Sequence, residues 1–309
     1  METYKKGNAE SYELEVIPSG KEKHAYFLRE CRTEGFSEQL DFLWMKKEKV
    51  KASVTFAISN EFEAVSLPKS PFGGFWIEES LTSSALEAFL KAVILELKRR
   101  RIVLIRVIQP PKVYEPKTDL INYLLFKEGF IQERILSHQF FVGKKKIKKL
   151  VQKEHAKYQK KAKDEGLTIQ VGHIQNFSFL DQVRSWNQSR GYQIGFEDAR
   201  IINQVSEFPD RYFLITFVKD KRAIAHSLCN TLLPESLYYF LSAIDPKSNL
   251  KNVGDLILFT LFQLAAELKV SFIDLGSSEN EVGVNHNLMF FKSRFSNEIS
   301  NKISWTLKL

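Results

Sequence analysis

The chain has 309 residues and a formal net charge of +8, with 44% hydrophobic and 27% charged residues. This composition is typical of a soluble globular protein with room for two ordinary domains. The longest apolar stretch without a charge, residues 256–266, is too short to span a bilayer, and the N-terminus has no apolar signal-peptide core. Two isolated cysteines, Cys31 and Cys229, and six scattered histidines favour a cytoplasmic protein without a metal site or a disulfide framework.

The first part of the chain predicts a strand meander followed by a helix and a strand. Apolar and polar residues alternate over residues 42–68, as they do in half-buried strands. Residues 85–101 have helical spacing, and the β-branched run of residues 102–111 ends in two prolines, which indicates a buried strand. The phrase NYLLFKEGF at residues 122–130 predicts a short amphipathic helix, and an alternating strand follows it.

The same order of elements recurs in the second part of the chain. A meander is predicted over residues 212–245, a helix over 254–268 and a strand over 269–278. The phrase NLMFFKSRF at residues 287–295 again predicts a short helix before a last strand. Four elements in the same order indicate two copies of one α/β unit, divided near Gly143.

A lysine-rich segment opens the second copy. Residues 144–163 hold ten lysines and one glutamate in a helical pattern. One interpretation is a solvated helix face, and the other is a track for the phosphates of RNA, of a nucleotide-linked substrate or of an acidic membrane. No aromatic residues interleave the lysines in a ladder, so sequence-specific recognition of RNA is not indicated.

The order of elements resembles the GNAT acyltransferase fold, and two copies in tandem resemble the FemABX and BioF2-like acyltransferases. Three motifs carry this resemblance: LPKSPFGGFW at residues 67–76, FIDLGSS at 272–278 and NHNLMFFKSRF at 285–295. The resemblance covers about residues 40–309. It implies a mixed α/β fold with two GNAT-like domains, residues 1–143 on the acceptor side and residues 144–309 on the carrier side.

The resemblance also implies transfer of an acyl or aminoacyl group from a carrier to an amine. The acceptor would be a small molecule or a peptide in the groove between the copies. Acyl-CoA is the favoured carrier, as a co-substrate and not as a tightly bound cofactor. The alternative is an aminoacyl-tRNA-dependent peptidyltransferase, which the lysine-rich helix favours and the lack of room for a coiled-coil insert opposes. A third hypothesis is a binding or scaffold protein on a decayed transferase fold.

The carrier is expected along one strand and the turn that follows it. In the GNAT fold, the open backbone edge of the strand predicted at residues 237–245 would bind the carrier's amide arm, as in strand addition. The candidate positions on this strand are Tyr239, Leu241 and Ala243. The next turn would meet the phosphates, because free N–H groups and the helix dipole favour anions there. Its candidate residues are Asn249, Lys251, Asn252 and Gly254. The simpler interpretation of this turn is an ordinary helix start with Asn252 or Asp255 near the cap.

The reacting groups are expected around the Phe-Lys pair in residues 287–295. Acyl transfer to an amine needs a deprotonated amine, a stabilised oxyanion and a proton for the leaving group. Asp274 is a candidate to orient or deprotonate the amine, or else it caps the following turn, where Ser277 offers hydrogen-bond donors. The resemblance places Phe291 and Lys292 beside the reacting groups, with Asn285 as a substrate-binding candidate. We expect Lys292 to point into the groove between the two copies, within reach of the turn after Asp274, with its charged head at the solvated rim beside an apolar stripe.

The glycine-rich motif of the first copy is the candidate acceptor site. Gly73 and Gly74 allow close approach of the backbone. The aromatic residues expected to floor or face the acceptor cleft are Phe72, Phe75, Trp76 and Tyr114, with an interdomain packing plug as the alternative. No Ser-His-Asp or Cys-His pattern is recognisable, so direct transfer without an acyl-enzyme is expected.

Overall fold

The structure is a computed structural model that describes residues 12–20, 24–31, 35–191, 197–248, 250, 252–280 and 283–309. Its packing separates two compact units. The first contains the described residues up to Ser137 together with Ser300–Leu309, and the second contains the described residues of His138–Ile299. Both units combine helices with a mixed sheet, so the predicted α/β class is confirmed.

The predicted elements are present at bounds close to the sequence patterns, whereas the elements before residue 38 and between residues 165 and 211 had no prediction. The α-helices of the described chain are α1 Ser83–Arg99, α2 Thr118–Lys127, α3 Lys144–Asp164, α4 Phe179–Gln188, α5 Asp198–Glu207, α6 Val253–Glu267 and α7 His286–Ser293. The strands are β1 Glu13–Pro18, β2 Glu38–Lys46, β3 Lys49–Ile58, β4 Glu63–Val65, β5 Phe75–Ile77, β6 Leu104–Gln109, β7 Ile131–Val142, β8 Thr168–His173, β9 Tyr212–Lys219, β10 Arg222–Asn230, β11 Ser236–Ile244, β12 Phe272–Ser277, β13 Glu279–Asn280, β14 Gly283–Val284 and β15 Glu298–Lys308.

The sheet of the first unit has the order β1-β2-β3-β4-β6-β15, and β5 pairs with β3. The pairing of β4 with β6 is parallel and the others are antiparallel. The apolar stripe of α1 packs on the meander, where Phe89 meets Phe42 and Val54 in one buried cluster. Thr82 caps α1, because its side chain accepts a hydrogen bond from Ala85 N at 3.2 Å.

The sheet of the second unit has the order β7-β12-β11-β10-β9-β8, and within it only β11 and β12 are parallel among the described strands. The apolar helix α6 is buried along most of its length in the core of this unit. The lysine-rich helix α3 covers α6 with Ile147, Tyr158 and Ala162 and leaves most of its lysines in solvent. Its stripe of few apolar residues is what a helix needs to pack on one side only.

The predicted repeat is present as the orders α1-β6-α2-β7 and α6-β12-α7-β15. The last strand of each copy, however, pairs with the strand of the other copy. His138–Val142 of β7 pairs with β12, and β15 pairs with β6. Residues 300–309 therefore pack in the first unit, whereas the predicted domains of residues 1–143 and 144–309 kept each copy together. Periodicity identifies a strand but not its distant partner.

Candidate functional site

The parallel strands β11 and β12 separate after a short paired stretch. Ser236–Tyr238 pairs with Phe272–Asp274, and the pairing ends there, although β11 continues to Ile244. In the part of the chain that the structure describes, the edge of β11 beyond Tyr238 has no strand partner on this side. This is the open edge expected for binding of an extended carrier arm.

The end of β12 bends sharply at Gly276. Its pairing with β7 shifts register between Asp274 and Ser277, and Gly276 has a left-handed φ of +72°. A Cβ at Gly276 would lie 3.7 Å from the ring of Tyr238 and 3.9 Å from Nζ of Lys292. The bend thus brings β11, β12 and α7 together at one point, and glycine suits the left-handed backbone there.

Asp274 lies where β11, β12 and α7 come together, and it is fully buried. Its Oδ1 accepts a hydrogen bond from Gly276 N at 2.7 Å. Nδ1 of His138 lies 3.2 Å from each carboxylate oxygen. The expected capping of the turn by Asp274 is therefore present, and the N–H of Gly276 is already occupied by it.

His138 is a residue that sequence reasoning missed. It lies on β7, 136 residues before Asp274, and faces Ser277 across the pairing of β7 with β12. Its ring is 1% exposed and stacks on Phe140 with centroids 6.1 Å apart. No local pattern marks it, because its proximity to Asp274 depends on a strand pairing between the two copies. An alignment of homologues is the signal that could have found it.

Lys292 completes the cluster from α7. It is 5% exposed, and its Nζ donates a hydrogen bond to the carbonyl of Ser277 at 2.6 Å. Burial lowers the pKa of Lys292 to about 8, and the negative charge of Asp274 opposes part of this shift. The predicted proximity of Lys292 to the turn after Asp274 is confirmed. The predicted emergence at a solvated rim is wrong, because α7 holds the side chain against the bend of β12.

Phe291 and Asn285 fix the position of α7. A Cβ at Gly254, in the first turn of α6, would come within 3.1 Å of the Phe291 ring, so α7 packs closely on the start of α6. Asn285 caps α7 by accepting a hydrogen bond from Leu288 N at 3.0 Å. These contacts position Lys292, and the roles of Phe291 in catalysis and of Asn285 in substrate binding stay predictions.

The predicted carrier-binding residues that the structure describes lie at two places in the second unit. On β11, Tyr239 packs on the core and donates to Ser242 Oγ at 2.6 Å, Leu241 is half-buried and Ala243 is buried. At the start of α6, Asn252 is left-handed with a φ of +60°, and its side chain makes no capping hydrogen bond in the described structure. The expected position of Asn252 at the cap is therefore confirmed, although its side chain does not cap the helix among the described residues, and Asp255 pairs with Arg294 at 2.8 Å. Asn249 and Lys251 lie outside the described residues.

The two glycines of the first-unit motif pack against β6. Gly73 N donates to Ile108 O at 3.0 Å, and a Cβ at Gly73 would lie 2.5 Å from Ser66 O. Gly74 has a φ of +74°, and a Cβ there would lie 2.5 Å from Oε1 of Gln109. The close backbone approach predicted here is present, and what approaches is the protein's own strand.

The aromatic residues of the same motif form a buried stack inside the first unit. Phe72 is fully buried, with its ring centroid 4.5 Å from Tyr114 and 5.0 Å from Tyr26. Trp76 stacks on Tyr26 at 5.3 Å, and Phe75 lies in the core. These residues pack within the first unit, and both their role as an interdomain plug and their contact with an acceptor stay predictions.

The described residues meet the requirements of neither a metal site with three protein ligands nor a membrane-spanning helix. Among the described residues, no three His, Cys, Asp or Glu side chains come together as metal ligands. None of the helices in that part of the chain is both long and apolar enough to cross a membrane.

Comparison with solved structures shows which fold this is. The structure of FemX matches with a TM-score of 0.63 and 13% identity over 87% of each chain. The C-terminal domain of a putative lysylphosphatidylglycerol synthetase from Agrobacterium fabrum matches with a TM-score of 0.58 and 12% identity, over 93% of this chain and 88% of that one. A tandem GNAT protein from the clavulanic acid biosynthesis pathway matches with a TM-score of 0.55 and 9% identity, over 96% and 98%.

These likenesses define the class as tandem GNAT folds. Within that class the chain is similar to FemX, so the predicted resemblance to FemABX-like proteins is confirmed at the level of fold. No protein-family model and no curated protein matches the sequence. The activity therefore has to be inferred from the site.

Proposed function

We propose that this protein is an acyltransferase that moves an acyl or aminoacyl group from a carrier to an amine. The observation that carries the proposal is the buried ammonium of Lys292, held by the Ser277 carbonyl where β11 and β12 separate. Burying a positive charge away from water costs free energy, so a buried ammonium indicates a group or a reaction that interacts with its charge. A reaction that develops negative charge at this point fits this requirement.

The chemistry follows from the separation of the two strands. An extended carrier lying along the open edge of β11 would direct its carbonyl toward the bend at Gly276. The amine attacks this carbonyl carbon, a C–N bond forms, and negative charge develops on the carbonyl oxygen. Lys292 stabilises that charge strongly, because its surroundings exclude water and screen charges weakly.

Acyl-CoA is the carrier that we favour. The support is the open edge of β11 together with the start of α6, where Asn252 turns the chain into the helix with a left-handed backbone. The first N–H groups of a helix and its dipole attract phosphates. In the described structure Asn252 leaves this helix start without a side-chain cap.

Aminoacyl-tRNA is the second candidate carrier, and α3 is the observation that favours it. Nine of its ten lysines are exposed. Among the described residues, ion pairs of α3 lysines are limited to Lys153 and Lys157, which both pair with Glu154. A helix with so many unpaired lysines attracts a polyanion through its phosphates.

Calorimetric titration tests the proposal and separates the carriers. We expect acetyl-CoA or a longer acyl-CoA to bind more tightly than inorganic pyrophosphate, and mass spectrometry to detect acylation of an added polyamine or aminoglycoside panel. Binding of aminoacyl-tRNA alone, with transfer from it, would replace acyl-CoA by the second carrier. No binding of any acyl-CoA or aminoacyl-tRNA would contradict both and favour the scaffold hypothesis.

A further inference from the structure

One nitrogen in the cluster has no partner in the described structure. His138 is 1% exposed, and its Nδ1 is taken by Asp274. Its Nε2 is buried and, among the described residues, has no hydrogen-bond partner. Buried polar atoms are nearly always satisfied, so an orphan such as this one points to a missing ligand or water.

Asp274 determines what this nitrogen can do. A carboxylate is only an acceptor, so the proton of a neutral imidazole beside it lies on Nδ1. Nε2 then carries a lone pair and can accept a proton. Asp274 itself is poorly placed to be the base, because it is fully buried and both of its oxygens have partners.

The groups around His138 and Asp274 come from β12, α7, β11 and β7. From β12 it faces Asp274 and the backbone of Ser277, whose carbonyl holds Lys292 of α7. From β11, Tyr238 is the register partner of Asp274. Phe140, its neighbour on β7, lies against the ring and adds no charge. The orphan nitrogen thus belongs to the same point at which the two parallel strands separate.

We propose that His138 takes the proton of the attacking amine, with Asp274 as the positioning residue that holds its tautomer. This inference rests on the proposed function and deepens it. The amine nitrogen forms the C–N bond, and its surplus proton moves to Nε2 of His138. The bond from the carbonyl carbon to the carrier's sulfur or oxygen breaks, and the leaving atom keeps the electron pair and receives the proton back from the imidazolium.

The first test uses the wild-type protein and needs no activity. Long-range proton–nitrogen NMR of ¹⁵N-histidine-labelled protein reports which ring nitrogen carries the proton. We expect the Nδ1–H tautomer for His138 at pH 7.5. A resonance that shows Nε2–H in the neutral ring would overturn the inference, whether or not transfer is detected.

The second test is the rate of transfer in His138→Gln, with His173→Gln as the matched control. His173 is an exposed histidine of the same unit, far from β12 in the chain. We expect His138→Gln to lower kcat about 100-fold, as loss of a general base does, with little change in the KM of the carrier. His173→Gln should behave as wild type.

The outcomes separate this inference from the proposed function. Transfer by the wild type with an unchanged rate in His138→Gln would overturn the role of His138 and leave the acyltransferase standing. A wild type that transfers nothing from any carrier would overturn the acyltransferase. If His138→Gln does not fold, His138→Asn and the NMR measurement on the wild type still decide.

Discussion

The two copies end their short helices with the same Phe-Lys pair, yet the two lysines have different environments. Lys127 at the end of α2 is exposed, and its Nζ lies 5.6 Å from the centroid of the Tyr123 ring. Lys292 near the end of α7 is 5% exposed and donates to the carbonyl of Ser277. The same local phrase therefore produces a surface lysine in one copy and a buried one in the other.

The difference originates in the strand that precedes each helix. In the first copy the end of β6 is closed by the glycine motif, because the side-chain amide of Gln109 binds both N and O of Phe75. In the second copy β12 bends at Gly276, and in the described structure the edge of β11 on the β12 side has no strand partner beyond Tyr238. Two similar orders of elements thus end differently: the protein's own loop fills one strand end, and the other lies beside an open edge of β11.

The largest expected effect is on transfer by Lys292→Met. This change keeps most of the side-chain volume and removes the charge, so the rate should fall about 100-fold or more if Lys292 stabilises the oxyanion. Lys127→Met is the matched control in the first copy and should leave the rate unchanged. Steady-state kinetics with the carrier identified by calorimetry measure both. Equal losses of rate in the two variants would contradict the different roles of Lys292 and Lys127.

The next largest effect is on the stability of Gly73→Ala. A Cβ there would lie 2.5 Å from a backbone oxygen, Ser66 O, which cannot move without disturbing the loop. We expect the free energy of unfolding in urea to fall by about 3 kcal/mol, at the upper end for overpacking. Gly172→Ala on β8 is the control, since a Cβ there meets no atom within 4 Å. A stable Gly73→Ala protein would mean that the first copy is not closed as described.

The pH dependence of the rate of transfer tests whether the positive charge of Lys292 is required. Its pKa is lowered to about 8 by burial, so the catalytic cation is lost as the pH rises through 8, and the rate should fall about tenfold by pH 9. Lys292→Arg stays charged over this range, so its rate of transfer should not fall between pH 8 and pH 9.

The same lowered pKa has the opposite consequence for stability. The unfolded chain binds more protons than the folded one between pH 8 and the ordinary lysine pKa of 10.5, so the free energy of unfolding should rise with pH in that window. Lys292→Met should lack this rise. Urea denaturation at pH 7.5 and pH 9.5 measures this rise. The same change in the free energy of unfolding in the wild type and in Lys292→Met would contradict the burial of Lys292.

The smallest effect is expected for Gly254→Ala in the second copy. The added Cβ would meet the Phe291 ring at 3.1 Å, which a side chain relieves by a small shift. Alanine also favours a helix over glycine by about 1 kcal/mol, so the free energy of unfolding should change by less than that. A loss as large as that of Gly73→Ala would show that the start of α6 is as tightly closed as the loop of the first copy.

The sequence by itself predicted the order of the elements in the two repeated parts of the chain. The β-branched run of β6, the lysine-rich helix α3 and the two FK helices were predicted at nearly their observed bounds. The proximity of Lys292 to the turn after Asp274 was predicted as well. These features depend on spacing within one or two elements, where helical and strand periods act directly.

The tertiary structure alone decided which strands pair and which side chains are buried. The pairing of β7 with β12 brings His138 to Asp274, and the packing of α7 on the start of α6 buries Lys292. The pairing of β15 with β6 moves residues 300–309 into the first unit. Each of these contacts joins residues that are distant in the chain, and their free energy depends on the packing of the whole core, which a local pattern does not contain.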